Sequence, residues 1–226
     1  MTDLSLGRRS NREQNLFKSM TKTKKGKIDK TETRSPIHVS EHGRYLIKSG
    51  LLAGKFVARA FAKPPTKSRG LIAEATGATE EAATTALHDV IDARENRRIE
   101  ARREDARTGI SVPSVEEYAE AFGHVPLTRP QRAMLTALSV ADADGLTDEQ
   151  LAKAAGYKSL ASASRSLANA GRLFSDFLAL ETNTKVRSMT SDGSSLVAFR
   201  GEPQDEADTG NWILYPELRD AVKATL

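Results

Sequence analysis

The stretch Leu146-Thr147-Asp148-Glu149-Gln150-Leu151-Ala152-Lys153-Ala154-Ala155-Gly156-Tyr157-Lys158-Ser159-Leu160-Ala161-Ser162-Ala163-Ser164-Arg165-Ser166-Leu167 decides how the chain is read. It reads as two short helices joined by a tight turn. Thr147 is a good N-cap, and Asp148 and Glu149 suit the positive end of a first helix. Leu151, Ala154 and Ala155 share one face at helical spacing. Gly156 stands where that helix must stop, because glycine takes the left-handed backbone at least cost. Ser159 can cap a second helix. Its inward side is Leu160, Ala163, Leu167, Ala170 and Phe174, and its outward side is Ser162, Arg165, Ser166, Asn169 and Arg172. Small residues at Ala152, Gly156 and Ala163 let the two helices cross closely. This is the layout of a helix-turn-helix, whose second helix enters the major groove.

Two helices around a glycine turn also occur in plain bundles. What favours DNA is the outer face, with its small hydroxyls, an amide, two arginines and no carboxylate until Asp176. Phosphate oxygens repel carboxylates, and a groove leaves room only for short or basic side chains.

Downstream, Thr184–Met189 and part of Ser195–Arg200 alternate, with Asp192-Gly193 between them as a hairpin signal. Lys185, Arg187 and Arg200 would then sit on a wing, within reach of phosphate. Glu202 to Gly210 is an acidic loop, Trp212 to Tyr215 a short strand, and Pro216 starts a last helix. Upstream, Ser114 and Glu117 make a capping box, and Thr128 with Pro130 opens another helix.

Ala154-Ala155-Gly156-Tyr157-Lys158-Ser159, with Leu173 beyond and Trp212-Ile213-Leu214-Tyr215-Pro216-Glu217-Leu218 at the end, resembles a winged helix-turn-helix module. That module occurs in bacterial proteins related to HNH restriction endonucleases, and the similarity covers about residues 126–226. The resemblance implies duplex-DNA binding, with Tyr157, Lys158 and the following helix near the DNA. The nuclease part is missing, since no cluster of two histidines and an asparagine appears.

The N-terminal half is read as helical. From Ala53 to Ala62 a helix is plausible, with Phe56, Val57, Ala60 and Phe61 on its apolar face and Pro64-Pro65 ending it. Leu71, Ile72 and Ala75 before Gly77, and Thr79 capping a helix after it, resemble a second helix-turn-helix. With Glu80 and Glu81 at its start, that unit suits packing or dimerising better than DNA reading, though both stay open. Its helix is expected to run on to Arg107. Arg94, Arg97, Arg98, Arg102 and Arg103 then belong either to a solvated connecting helix or to a face lying along phosphates.

The net charge is +4 and the pI about 9.3. Residues 1–35 hold ten Lys or Arg against four acids, leaving 24 against 26 of the chain's 34 and 30. The basic excess therefore belongs to an arm expected to be disordered in isolation, and such an arm suits a polyanion. Absence of cysteine excludes disulfides, thiolate metal sites and a cysteine nucleophile. No apolar run approaches the roughly 20 residues of a membrane span, and the N-terminus lacks a signal-peptide core. His38 and His42 lack the carboxylate geometry of a metal site, no phosphate loop follows Gly70 or Gly77, and Ser194-Ser195 has no nucleophile-elbow frame.

The expected protein is mainly α. A disordered basic arm (1–35) precedes a helical domain ending in a long charged helix (36–110), then a winged helix-turn-helix with a small β-hairpin wing (111–226). Its expected partners are double-stranded DNA and a second copy of itself, with no membrane, cofactor, metal or catalytic residue. The expected role is a dimeric transcriptional regulator or mobile-element accessory factor, cytoplasmic and nucleoid-associated. The alternative is a phage or plasmid protein that inhibits or assists a nucleic-acid enzyme. Tyr157, Lys158, Ser159, Ser162, Arg165, Ser166, Asn169, Arg172, Lys185 and Arg187 are the expected DNA contacts.

Overall fold

In the computed structural model, which describes residues 36–180, 193–203 and 209–226, the N-terminal half is not helical. Four antiparallel strands come first: β1 (His38–His42), β2 (Tyr45–Leu52), β3 (Lys55–Ala62) and β4 (Leu71–Gly77), paired in chain order. The described chain is therefore an α/β mix. Leu52 pairs with Lys55 across Ala53-Gly54, both at positive φ (50° and 79°), which is a two-residue hairpin turn. Gly43, at φ 55° between β1 and β2, is likewise a turn residue. Leu71–Gly77 is likewise a strand, so the apparent repeat with Asp148–Ala154 has no structural counterpart.

One helix, α1 (Glu80–Ala101), covers one face of this sheet. Thr79 caps it by accepting from the Ala82 N–H at 3.1 Å. Ala83, Leu87 and Ile91 pack on Tyr45, Ile47, Ala58 and Ala60, with Ala73 and Ala75 alongside. Those alanines alternate along β3 and β4 because a helix lies close over them. The helix stops at Ala101 rather than Arg107, and the chain enters a two-stranded ribbon, β5 (Arg103–Glu104) with β6 (Ser111–Val112).

Five further helices build the larger core: α2 (Val115–His124), α3 (Arg129–Ala141), α4 (Asp148–Ala154), α5 (Leu160–Leu178) and α6 (Pro216–Thr225). Capping boxes at Ser114/Glu117, Thr128/Gln131 and Thr147/Gln150 start α2, α3 and α4. Tyr118, Met134, Leu138, Leu151, Leu167, Phe174 and Tyr215 meet in the middle of that core, each fully buried.

The expected wing is corrected too. Thr184–Met189, with Lys185 and Arg187, lies outside the described residues. Gly193 leads into a single tight turn at Ser194–Leu196 that packs on α5. The hairpin pairs β7 (Ala198–Arg200) with β8 (Trp212–Leu214), and Leu146 bridges to Trp212 at the edge. Among the described residues no helix is long and apolar enough to cross a membrane.

Arg97 stays exposed on the helix surface and Arg103 is exposed and bonds Glu217, but the other three arginines follow neither expected reading. Arg94, Arg98 and Arg102 recur every four residues and turn into the seam between α1 and the helical core. Arg94 and Arg98 share the carboxylate of Glu120, and Arg98 also bonds Glu95 at 3.1 Å. Arg102 bonds Glu117 at 2.7 Å and the Leu178 carbonyl at 2.8 Å. Arg44 grips Glu95 and the Phe177 carbonyl. Burial pushes the Glu95 carboxyl up, but hydrogen bonds from Tyr45 and Arg44 and the charges of Arg44 and Arg98 hold it below the usual range. Guanidinium groups thus meet the last carbonyls of α5, where the helix dipole is negative.

Candidate nucleic-acid interface

Leu151 and Ala152 bury one side of α4, and the chain turns at Gly156 with φ +72°. The turn is tied down at both ends. The Tyr157 N–H donates to the Ala152 carbonyl at 2.8 Å, and the Tyr157 hydroxyl donates to Ser166 Oγ at 3.2 Å. Ser159 occupies the N-cap of α5 but makes no side-chain cap bond.

On α5, Ala163, Leu167, Ala170 and Phe174 are buried, each at most 1% exposed. Gly171 sits so close to the Gly193 carbonyl that a Cβ would stand 1.9 Å from it. The Ala168 and Gly171 side of the helix is therefore closed off by residues 193–196. What stays open is one stripe: Ala161, Arg165, Asn169, Arg172 and Asp176 are exposed, and Ser162 is half-buried beside them. From Ala161 to Arg172 the stripe runs about 16 Å at 1.5 Å per residue, roughly five base-pair steps.

The expected contacts sort as follows. Lys158, Ser159, Arg165, Asn169 and Arg172 are exposed on this side, and Tyr157 and Ser162 are half-buried. Ser166 is not on the stripe. It is 8% exposed, its hydroxyl is held by Tyr157, and its carbonyl accepts from Gln131 Nε2 at 3.2 Å. Leu160, expected inside, is 43% exposed at the start of the helix. Arg165 Nε donates to the Ala161 carbonyl at 3.1 Å, and Arg172 Nη1 donates to Asn169 Oδ1 at 3.2 Å. Both arginines are thus held along the helix surface.

Arg200 does not serve as a wing contact. Its Nη2 bonds both oxygens of Asp148 at 2.9 Å, and its guanidinium lies 3.9 Å from the centre of the Trp212 ring. Trp212 Nε1 donates to Asp148 Oδ1 at 2.8 Å. The trio fastens the β7–β8 hairpin to the first turn of α4. Asp205 and Glu206 of the acidic loop lie outside the described residues.

Residues not expected from sequence to contact DNA share the open side. Lys67, Pro126, Thr128 and Gln131 line a groove of about 460 Å³ together with Asn169, Arg172, Leu173 and Asp176. Lys67 belongs to the β3–β4 connection, and only the strand pairing brings it here; its signal in the sequence was the Lys, Arg and Pro density of residues 63–69. Among the described residues, no group of three His, Asp or Glu side chains is arranged to hold a metal ion.

Comparison of the chain with protein-family models, curated proteins and solved structures returns no match.

Proposed function

We propose that this chain binds double-stranded DNA through α5, as a regulator of transcription or an accessory factor of a mobile element acting in the cytoplasm as a homodimer. The observation that carries this reading is the open stripe of α5. It presents Arg165, Asn169 and Arg172, with the small Ala161 and Ser162 ahead of them and no carboxylate before Asp176. Arginine and asparagine are the side chains that pair bidentately with guanine and adenine edges in the major groove. Lys158 at the turn and Arg172 further along suit phosphates on either side. Three supports keep the helix in one place: Tyr157 on Ser166, Gly193 on Gly171, and Arg44 with Arg102 on the last carbonyls. A rigid mount of this kind suits a helix that must present side chains to a fixed pattern. A dimer is part of the proposal because one such helix reads few base pairs and a twofold doubles the contact.

The test is a mobility shift of the full chain on genomic fragments and on random duplexes across a salt series. Retention that is selective and outlasts the non-specific background supports the reading. Failure to retain any duplex at low salt refutes it and leaves the protein-interaction role as the better one.

A further inference from the structure

We propose that the groove between residues 63–69 and α5 binds a backbone phosphate of the same duplex, so that the sheet half of the chain supplies a contact of its own. This rests on the reading of α5 as the groove-entering helix and adds a second element to it. Lys67 is exposed and lines the groove opposite Asn169 and Arg172. The loop that carries it is pinned. The Arg69 N–H donates to the His124 carbonyl at 3.0 Å, and His124 Nδ1 lies 2.7 Å from the Arg69 carbonyl. The His124 ring in turn stacks on Phe177 of α5, with centroids 5.2 Å apart. Lys67 is thus held against the same helix that carries Arg165.

Thr128 caps a thirteen-residue helix at the groove's edge, so the positive end of the α3 dipole adds to the field. The capping box already occupies the Thr128 and Gln131 N–H groups. Attraction therefore comes from the Lys67 and Arg172 charges and the dipole. About 460 Å³ of open space, lined by polar and apolar side chains together, admits a phosphodiester link, which only needs to lie across it. Arg172 stands seven residues beyond Arg165, about 10 Å along the axis, where the strand flanking an occupied major groove would pass. Asp176 closes the far end, and its carboxylate opposes an anion there. The site therefore has two handles of opposite sign.

The experiment measures affinity of the full chain for a labelled random-sequence duplex of about three helical turns across a salt series. Wild type is compared with Lys67→Ala, Asp176→Asn and the control Lys55→Ala, whose lysine lies at the opposite end of β3. Thermal melts confirm that each variant is folded. Lys67→Ala should weaken binding severalfold on every sequence and flatten the slope of log K against log salt by about 0.9, the loss of one phosphate contact. Asp176→Asn should tighten binding. If Lys67→Ala and Lys55→Ala behave alike, and Asp176→Asn changes nothing, the groove is not a phosphate site although α5 still binds DNA. If the wild type retains no duplex, the α5 reading fails and the groove falls with it.

Discussion

Replacing Arg102 by Met tests whether the seam of arginines anchors α5. Arg102 Nη2 lies 2.7 Å from Glu117 Oε1, Nε lies 3.2 Å from both carboxylate oxygens, and Nη2 also serves the Leu178 carbonyl at 2.8 Å. Glu117 is only 3% exposed, so its charge has little water to fall back on. At an effective dielectric constant of about 20, a unit pair 2.7 Å apart attracts by about 6 kcal/mol, and one 4 Å apart by about 4 kcal/mol. Arg98 Nε remains 4.0 Å from Glu117 Oε1 and the Ser114 N–H still donates at 3.1 Å, so the carboxylate is weakened rather than abandoned. Methionine keeps most of the apolar stem. Breaking a buried pair costs about 3–5 kcal/mol, and the surviving contacts put the expected loss near the lower end, about 3 kcal/mol. That is a large part of the 5–15 kcal/mol of a typical domain. Urea unfolding of Arg102→Met, Glu117→Gln and the double variant measures it. The double variant should recover much of the single loss, giving a coupling of about 2 kcal/mol. A single loss under about 1 kcal/mol, with no coupling, would refute the argument that Glu117 depends on Arg102.

Further predictions follow from other places in the fold. Gly171→Ala should destabilise by about 1–3 kcal/mol through the clash with the Gly193 carbonyl, although helix propensity alone forecasts a gain of about 1 kcal/mol; a raised melting temperature would contradict the packing. Burial and the charge of the stacked His42 ring hold the His88 imidazole below its ordinary 6.5, against the opposing pull of Asp92 and Asp89. Above 6.5 its contribution is fully present; as pH falls below 6.5 the unfolded chain takes the proton first and stability drops. His88→Phe should flatten that decline, and an unchanged slope would mean the stack is not its source. Asp148→Ala should free the single tryptophan from Arg200 and the carboxylate, red-shifting Trp212 emission and costing about 1.5–3 kcal/mol; an unshifted spectrum would mean the trio does not fix the ring.

The stretch that organised the sequence reading was legible because its signals are local. Thr147, Gly156 and the small residues of the turn act within a few positions of themselves, and so do the capping boxes at Ser114 and Thr128. The sheet was not legible because its alternation is masked. Tyr45 and Ile47 face α1, but Leu46, Leu52 and Phe61 put apolar side chains on the other face as well. Ala58, Ala60, Ala73 and Ala75 read as helix formers, yet they are small because α1 lies over them. The only outward signs were the closely spaced glycines, which mark turns as readily as helix ends.

The site was partly legible for the same reason. Arg165, Asn169 and Arg172 follow from helical spacing within one element. Ser166 was misjudged because its position on the wheel borders the stripe, and Tyr157 and Gln131 draw it inward. Arg200 and the α1 arginines were misjudged because their partners, Asp148, Glu117 and Glu120, are 15 to 52 residues away in sequence. Charge density alone does not distinguish an arginine facing a phosphate from one facing a carboxylate; tertiary pairing decides it.

The most direct measurement is the affinity of the full chain for a duplex selected from a random pool, with wild type and Arg165→Ala compared on that duplex and on a scrambled one. The account predicts that Arg165→Ala loses about 1–3 kcal/mol on the selected duplex and much less on the scrambled one. Equal affinities of the two proteins on both duplexes would mean that the exposed side of α5 does not read DNA.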